Sequence, residues 1–118
     1  MSTVGLSVDD FADTVLAEGI VLVDFWSAAR IASRAFAPIL EAAARRHPDI
    51  LFARVDAEAD PDLPAAVGVR SIPTLMVFRD GVLVFAEPGV LPADSVELLI
   101  STVRELDMTA VRGLFPGR

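Results

Sequence analysis

The sequence predicts an α/β domain in which a central mixed sheet of four to five strands is covered by helices on both faces. Three observations lead to this prediction. The continuous apolar and β-branched run at 20–26 is typical of a strand that is buried on both of its faces. Runs of this kind alternate along the chain with segments whose apolar residues recur at helical spacing. Arg79, Asp80 and Gly81 separate two further apolar runs and are a hairpin signal.

Length and composition are those of one compact domain. The chain has 118 residues, 53% of them hydrophobic, and can bury a core without disulfides or a structural metal. Apolar periodicity extends from about 7 to 106 and weakens afterwards. We therefore predict a single domain over 1–118 with its core at 7–106. A C-terminal tail at 107–118 is expected to fray at Pro116 and Gly117.

Charge and hydropathy exclude several functional classes. The net charge is −7 and all ten basic residues are arginines, without a basic stripe, so the chain is a poor candidate for binding nucleic acid. No apolar run approaches the roughly 18 residues that span a bilayer. Residues 1–5 also lack the basic region of a secretory signal. We therefore predict a cytoplasmic protein with no membrane partner.

The chain has few reactive side chains, which excludes further kinds of catalytic and metal site. The chain contains no cysteine and a single histidine, His47. Disulfides, thiolate catalysis and sulfur-ligated metals are therefore removed, together with most histidine-built metal centres and catalytic triads. The acidic residues at 56–62 lack the glycine turn and the terminal glutamate of a calcium-binding loop, so we interpret them as a solvated loop. No cofactor and no metal is predicted.

The first part of the chain predicts two helices around one buried strand. Ser7 begins a capping pattern that opens the first helix, and Gly19 suits its end. The strand at 20–26 follows. Residues 33–47 are alanine-rich with apolar residues along one side, which indicates a second helix. Pro38 lies in its interior, where a proline produces a kink.

The second part predicts three strands and two helices. Residues 51–56 form a short apolar strand. Asp60 and Pro61 then open a short helix as its N-cap and first residue, and Gly68 closes it. The remaining segments are the two hairpin strands and a final amphipathic helix, at 75–78, 82–85 and 92–106.

Several short motifs lie in one register over residues 21–105. They are Val-Asp-Phe-Trp at 23–26, Arg-Ala-Phe-Ala-Pro-Ile-Leu at 34–40, Val-Asp at 55–56, Gly-Val-Arg-Ser-Ile-Pro-Thr-Leu at 68–75, Phe-Arg-Asp-Gly at 78–81 and Gly89. At this spacing the sequence resembles the bacterial thioredoxin family. The resemblance implies the thioredoxin fold.

The resemblance also implies a groove that binds polypeptide. In the family, the peptide bond that matches Ile72-Pro73 is cis, and the proline faces the active-site loop. The backbone beside this proline pairs with an extended substrate in the manner of an added strand. The residues that would bind a protein or peptide partner in the present chain are Trp26, Arg30, Ile31, Ile72, Pro73, Gly89 and Val90.

The family's catalytic motif is missing. Members of the family carry Trp-Cys-Gly-Pro-Cys at the start of the second helix, where one thiolate attacks a disulfide and the second cysteine resolves the mixed disulfide. Here the five positions are Ala29, Arg30, Ile31, Ala32 and Ser33. The arginine offers no lone pair, and a serine hydroxyl cannot exchange with disulfides. We predict no catalytic residue and no thiol–disulfide oxidoreductase activity in this chain.

The residues around the lost motif leave alternatives open. Asp24 matches the family's buried acid; burial raises the pKa of a carboxyl unless a cation favours its ionised form, and Arg54 is placed to supply one. A retained structural residue is the simpler interpretation of Asp24. Trp26 is interpreted first as core and second as a groove wall. Ser33 is expected to cap the second helix. Arg30 either points into water or helps the helix N-terminus bind an anion.

The function predicted from the sequence is that of a redox-inactive thioredoxin-like protein. It would bind protein or peptide, or act as a chaperone-like module, through the groove at the cis-proline. The alternative is a protein-disulfide oxidoreductase by descent, inactivated naturally or by engineering. All four positions from Arg30 to Ser33 differ from the family motif, which favours natural divergence over removal of the cysteines alone. Apolar residues on the same face leave a homodimer open as a further arrangement.

Overall fold

A five-stranded mixed sheet forms the centre of the computed structural model, which describes residues 3–114. The strands are β1 (Thr3–Gly5), β2 (Ile20–Trp26), β3 (Leu51–Asp56), β4 (Thr74–Arg79) and β5 (Val82–Pro88). The helices are α1 (Val8–Val15), α2 (Ile31–Arg46), α3 (Asp62–Ala66), α4 (Ala93–Arg104) and α5 (Met108–Gly113). The predicted α/β architecture, a mixed sheet with helices, is confirmed.

The strand order β1-β3-β2-β4-β5 places β2 at the centre of the sheet. β2 runs parallel to β3 and antiparallel to β4, and β5 completes an antiparallel hairpin with β4. Side chains alternate between the two faces along β2. Leu22 lies in one apolar cluster with α2 and α4, whereas Val23 and Phe25 lie in a second cluster with α1 and α3. Both faces of β2 are therefore buried, as its continuous apolar run predicts.

The turn between β4 and β5 has the conformation that its sequence predicts. Asp80 and Gly81 both have positive φ, 51° and 81°, as the favoured two-residue hairpin turn requires. The turn is also fastened to the loop after α1. The amide of Gly19 donates to Asp80 Oδ1, and the amide of Asp80 donates to the carbonyl oxygen of Gly19, each at 2.8 Å.

β1 and α5 have no counterpart in the sequence-based prediction. β1 pairs in parallel with β3 but is only three residues long, which is too short to leave an alternating pattern. α5 lies inside the segment 107–118, where the sequence predicts only a tail. Asp107 caps this helix, because its carboxylate accepts hydrogen bonds from two backbone amides of α5. Pro116 and Gly117 lie outside the described residues.

The starts of the helices differ from the prediction in detail. α2 begins at Ile31, two residues before Ser33, and retains Pro38 in its interior. Ser7 precedes α1 as predicted, but its hydroxyl donates to Asp10 Oδ2 at 3.2 Å and makes no capping hydrogen bond to the backbone. α3 begins one residue later than predicted. Local sequence thus predicts α1 to α4, while the exact residue at which each begins depends on neighbouring segments.

Two predictions about the whole protein stay predictions. Each helix within residues 3–114 is too short or too polar to cross a membrane. This finding does not assign a compartment, so the cytoplasmic location is still an expectation from the sequence. The assignment of 1–118 to a single domain is likewise an expectation from the sequence.

Arg79, at the end of β4, fastens the C-terminus of α4 to the sheet. Its Nη1 lies 2.8 Å from the carbonyl oxygen of Val103, 3.1 Å from that of Arg104 and 2.7 Å from that of Leu106. The last carbonyls of a helix lack intrahelical partners, and a cation beside them also interacts favourably with the helix dipole. Arg79 therefore holds α4 against the sheet and fixes the direction in which the chain leaves it.

We expect Arg79→Ala to lower the free energy of unfolding by about 1.5–3 kcal/mol, the usual range for hydrogen bonds from a charged donor. Urea denaturation followed by circular dichroism measures this change. Arg45→Ala is the matched control, because the exposed Arg45 side chain makes no hydrogen bond or ion pair within residues 3–114. The control should change stability by less than about 0.5 kcal/mol. Equal stabilities for the two variants would contradict the role given to Arg79.

Candidate functional site

The predicted site lies at the edge of the sheet where β2 ends and β4 begins. The two strands are antiparallel, and Phe25 near the end of β2 pairs with Thr74 at the start of β4. The loop that leaves β2 and the loop that enters β4 therefore meet at this edge. The second loop contains the Ile72-Pro73 peptide bond, which is cis, as the family resemblance implies.

The end of β5 is fastened to this proline. Pro88 pairs with Thr74, and the amide of Gly89 donates a hydrogen bond to the carbonyl oxygen of Pro73 at 2.8 Å. Gly89 has a φ of 97°, which glycine adopts without the steric cost that other residues incur. This contact brings Pro73, Gly89 and the exposed Val90 together at one edge of the molecule.

The loop between β2 and α2 is held by two serine hydroxyls. The amide of Ser27 donates to Ser33 Oγ at 3.1 Å, and Ser27 Oγ donates to Glu58 Oε1 at 2.7 Å. The prediction that Ser33 caps α2 is wrong, because Ser33 is the third residue of this helix and not the residue before it. Its fully buried hydroxyl accepts a hydrogen bond from the loop that precedes the helix. Arg30 occupies the N-cap position instead and makes no side-chain capping bond. Sequence reasoning missed this network because Ser27 and Glu58 are 31 positions apart.

Ile31 and Ile72 supply the apolar side chains of the site. Ile31 is the first residue of α2 and its side chain is largely in solvent, with 76% of the residue exposed. Ile72 is half-buried and packs against the apolar cluster that contains α1 and α3. We call five of the predicted partner-binding residues at this edge, namely Ile31, Ile72, the buried Pro73, Gly89 and Val90, the proline groove. That it binds a partner stays a prediction.

The side chain of Trp26 packs toward β3. The guanidinium carbon of Arg54 lies 4.3 Å from the centroid of the Trp26 ring, a cation–π arrangement. The half-buried tryptophan also lines a cleft of about 450 Å³ beside β1, together with Asp10, Asp56 and Asp60. The structure therefore joins Trp26 to β1 and β3, and its role as a groove wall stays a prediction.

Asp24 is a buried carboxyl in the middle of β2. Only 1% of the residue is exposed. Its Oδ2 accepts a hydrogen bond from Nε of Arg54 at 3.3 Å, and its Oδ1 has no hydrogen-bond partner within residues 3–114. Desolvation by burial raises the pKa of Asp24 from its ordinary value of 3.8 to about 6, against the opposing effect of Arg54. Arg54 is thus the cation beside Asp24, and the effect of burial on the pKa outweighs the effect of this cation.

Ser33, at the position of the second family cysteine, has no histidine beside it to act as a base among the described residues. Ser33 Oγ is buried and accepts from the loop. His47 lies at the other end of α2, where its ring nitrogens contact Glu97 Oε1 at 2.8 Å and Arg104 Nη2 at 3.1 Å. Within residues 3–114 no three His, Cys, Asp or Glu side chains are grouped to hold a metal ion. The loop acid Asp56 accepts hydrogen bonds from two backbone amides of its own loop.

Comparison with known proteins identifies the family. The family model for thioredoxin matches residues 2–102. The chain belongs to the thioredoxin family. It is 45% identical to putative thioredoxin 2 of Streptomyces coelicolor over 111 residues, which cover 94% of this chain and 83% of the relative. It is 40% identical to a thioredoxin of Chlamydia muridarum over 96 residues, which cover 81% and 93% of the two chains.

Solved structures have the same fold. A mutant thioredoxin from Halobacterium salinarum matches this thioredoxin-family chain with a TM-score of 0.79 at 28% identity, covering 88% of this chain and 91% of that chain. A chain solved in work on the thiol resolving mechanism of yeast mitochondrial 1-Cys peroxiredoxin gives a TM-score of 0.78 at 22% identity, covering 86% of this chain and 95% of that chain, a likeness in fold alone. The present thioredoxin-family chain has a cis-proline and a buried acid but contains no cysteine. Thiol–disulfide exchange therefore has no sulfur nucleophile in it.

The raised pKa of Asp24 predicts that its ionisation opposes folding. Because the folded-state pKa lies above the unfolded value, the stability contributed by the neutral carboxyl is complete below about pH 4 and is lost as pH rises through about 6. We expect Asp24→Asn to gain stability relative to the wild type as pH rises. The gain between pH 3.5 and pH 8 should be roughly 3 kcal/mol from the size of this pKa shift. Denaturant unfolding at each pH measures it.

Asp49→Asn is a control of opposite sign. The hydrogen bond from Arg104 holds the pKa of the exposed Asp49 below its ordinary value, so this carboxylate stabilises the folded state near neutral pH. Asp49→Asn should therefore lose stability relative to the wild type as pH rises through the acid range. A stability difference between Asp24→Asn and the wild type that stayed constant from pH 3.5 to pH 8 would refute the assignment to Asp24.

Proposed function

We propose that this thioredoxin-family protein is redox-inactive and binds an extended segment of another polypeptide at the proline groove. The absence of cysteine supports the first part, because disulfide exchange requires a thiolate. One observation carries the second part. Neither the backbone N–H nor the backbone C=O of Ile72 forms a hydrogen bond within residues 3–114.

A free donor and a free acceptor on one residue match what an added strand needs. In antiparallel pairing, two opposed residues exchange an N–H···O bond in each direction. Ile72 lies just before β4, so a partner strand could pair there beside the existing sheet, a recurrent mode of peptide recognition. The hydrogen bond between Gly89 and Pro73 fixes this part of the groove before any partner arrives, which lowers the entropy cost of binding.

The apolar part of the groove supplies the second source of affinity. Ile31 projects from the start of α2 with most of its surface in water, and Val90 is 36% exposed. Covering such side chains contributes about 25 cal/mol per Å² of apolar surface removed from water. A chaperone-like or docking role needs no chemistry beyond such burial and strand pairing. The divergence at all four positions from Arg30 to Ser33 supports natural loss of the redox activity, as the sequence indicates.

We expect Ile31→Ser to weaken binding of an uncharged extended peptide by about tenfold, because an apolar side chain is removed from the interface. The probe is a ten-residue, fluorophore-labelled peptide of alternating valine and serine, titrated by fluorescence anisotropy. On binding, the backbone amide of Ile72 should exchange its hydrogen more slowly, as measured by NMR. Ile31 is exposed and begins its helix, so the variant should fold normally.

Leu98→Ser is the matched control for this test. Leu98 is 69% exposed on α4 and lies outside the proline groove, so its replacement removes a similar apolar surface without touching the site. Its effect on peptide affinity should stay below about twofold, as for surface changes away from an interface. Equal losses in the two variants, or unchanged exchange at the Ile72 amide, would rule out binding at the groove.

A further inference from the structure

We propose that the polypeptide segment bound in the proline groove is acidic and that its carboxylates pair with Arg30 and Arg70. This partner chemistry rests on the proposed function, which supplies the groove, and adds what the groove selects. The proposal of an acidic partner is based on the arginines that have no partner within the described residues.

Most arginines of the described chain are already engaged. Within residues 3–114, six arginine side chains donate hydrogen bonds to a carboxylate or a backbone carbonyl: Arg34, Arg46, Arg54, Arg79, Arg104 and Arg112. The other three, Arg30, Arg45 and Arg70, are exposed and make no side-chain hydrogen bond or ion pair in that range. Arg30 directly precedes Ile31, and Arg70 lies two residues before Ile72. Two of the three unpaired arginines are therefore neighbours, in the chain, of residues that form the proline groove.

The positive charge of these two arginines contrasts with the net charge of −7 for the whole chain. α2 adds to it, because its first turn contains no acidic residue and its N-cap offers no side-chain acceptor to the helix amides. The acids of the adjoining loops and strands include Asp56, Glu58 and Asp60 after β3 and Glu87 on β5. Ser27 Oγ donates to Glu58, two backbone amides donate to Asp56, and Glu87 lines a cleft of about 180 Å³ with Arg70. None of these acids forms an ion pair with Arg30 or Arg70 within residues 3–114.

An extended acidic segment matches both the charge and the backbone of the groove. Alternate side chains of a strand point to opposite sides. A segment paired with the backbone of Ile72 can present one set of side chains to Ile31 and Val90 and the other set to the flanking arginines. A guanidinium group binds a carboxylate through two parallel hydrogen bonds and is weakly hydrated, so an unpaired arginine favours this partner. A basic segment meets the same arginines as like charges.

Two peptides of equal length test the preference. Both keep the valines of the uncharged probe and replace its serines, one by glutamate and the other by lysine. We expect the wild type to bind the glutamate peptide at least about tenfold more tightly than the lysine peptide at low salt, since complementary charges attract and like charges repel. The ratio should fall as salt is raised, because exposed charges are screened. Equal affinities at low salt would overturn the proposal.

Charge-reversing variants locate the preference. Arg30→Glu and Arg70→Glu should each reduce the glutamate-to-lysine affinity ratio by about fivefold or more, since each replaces an attraction by a repulsion. Arg45→Glu is the matched control: the same change at the third unpaired arginine, on the C-terminal half of α2, should leave the ratio within about twofold. Because none of the three side chains makes an intramolecular bond in the described residues, all variants should fold, as circular dichroism checks. A ratio that falls equally in all three variants reports net charge alone and overturns the proposal.

The outcomes separate this proposal from the function on which it rests. Binding of all three peptides with one affinity, lost in Ile31→Ser, keeps the groove and refutes its acidic selectivity. Failure of every peptide to bind refutes both. Sedimentation equilibrium of the wild type and of Arg70→Glu measures whether the protein forms a dimer through the groove. If the wild type is a dimer that Arg70→Glu dissociates, the groove binds a second copy of this acidic chain. This result would overturn the proposal that it binds a segment of another protein.

Discussion

The burial of β2 on both faces is the constraint on which the rest of the structure depends. β2 pairs with β3 on one side and β4 on the other, and each of its faces lies against a separate apolar cluster. Its end at Trp26 determines where the chain turns toward α2, and its antiparallel partner brings the cis Ile72-Pro73 bond to the same edge. The proline groove therefore lies at the end of a strand that is buried on both faces. A surface that is ordered before binding loses less conformational entropy when a partner binds.

A strand buried on both faces has no place where a charged side chain can reach water. Asp24 is accommodated because Arg54 lies directly opposite on β3 and extends one donor to it. The guanidinium group of the same arginine lies over the Trp26 ring. Asp24, Arg54 and Trp26 therefore form a chain of contacts that does not involve the positions of the missing thiols. In this chain of contacts Asp24 accepts a hydrogen bond from the arginine that lies over Trp26, an arrangement that needs no thiol.

Features that depend on local sequence could be predicted, and features that depend on distant contacts could not. The apolar run of β2, the turn at Asp80 and Gly81 and the cis-proline edge follow from nearby residues or from the family resemblance. β1 escapes prediction because three residues carry no periodicity, and it is stabilised by its pairing with β3. Ser33 resembles a cap only in its residue type. Its burial depends on Ser27, which itself is held by Glu58 from another loop. The free backbone of Ile72 can be seen only once every neighbouring hydrogen bond is placed.

The contact between Trp26 and Arg54 gives the molecule an internal optical reporter. Trp26 is the only tryptophan in the chain, and the guanidinium group over its ring belongs to the arginine that pairs with Asp24. Indole emission shifts in colour when a neighbouring charge is added, removed or displaced. Protonation of Asp24 removes the counter-charge of Arg54, so the emission spectrum of the native protein should follow the ionisation of this almost completely buried carboxyl. The fluorescence of Trp26, at the end of β2, should therefore report the ionisation state of Asp24 in the middle of the same strand.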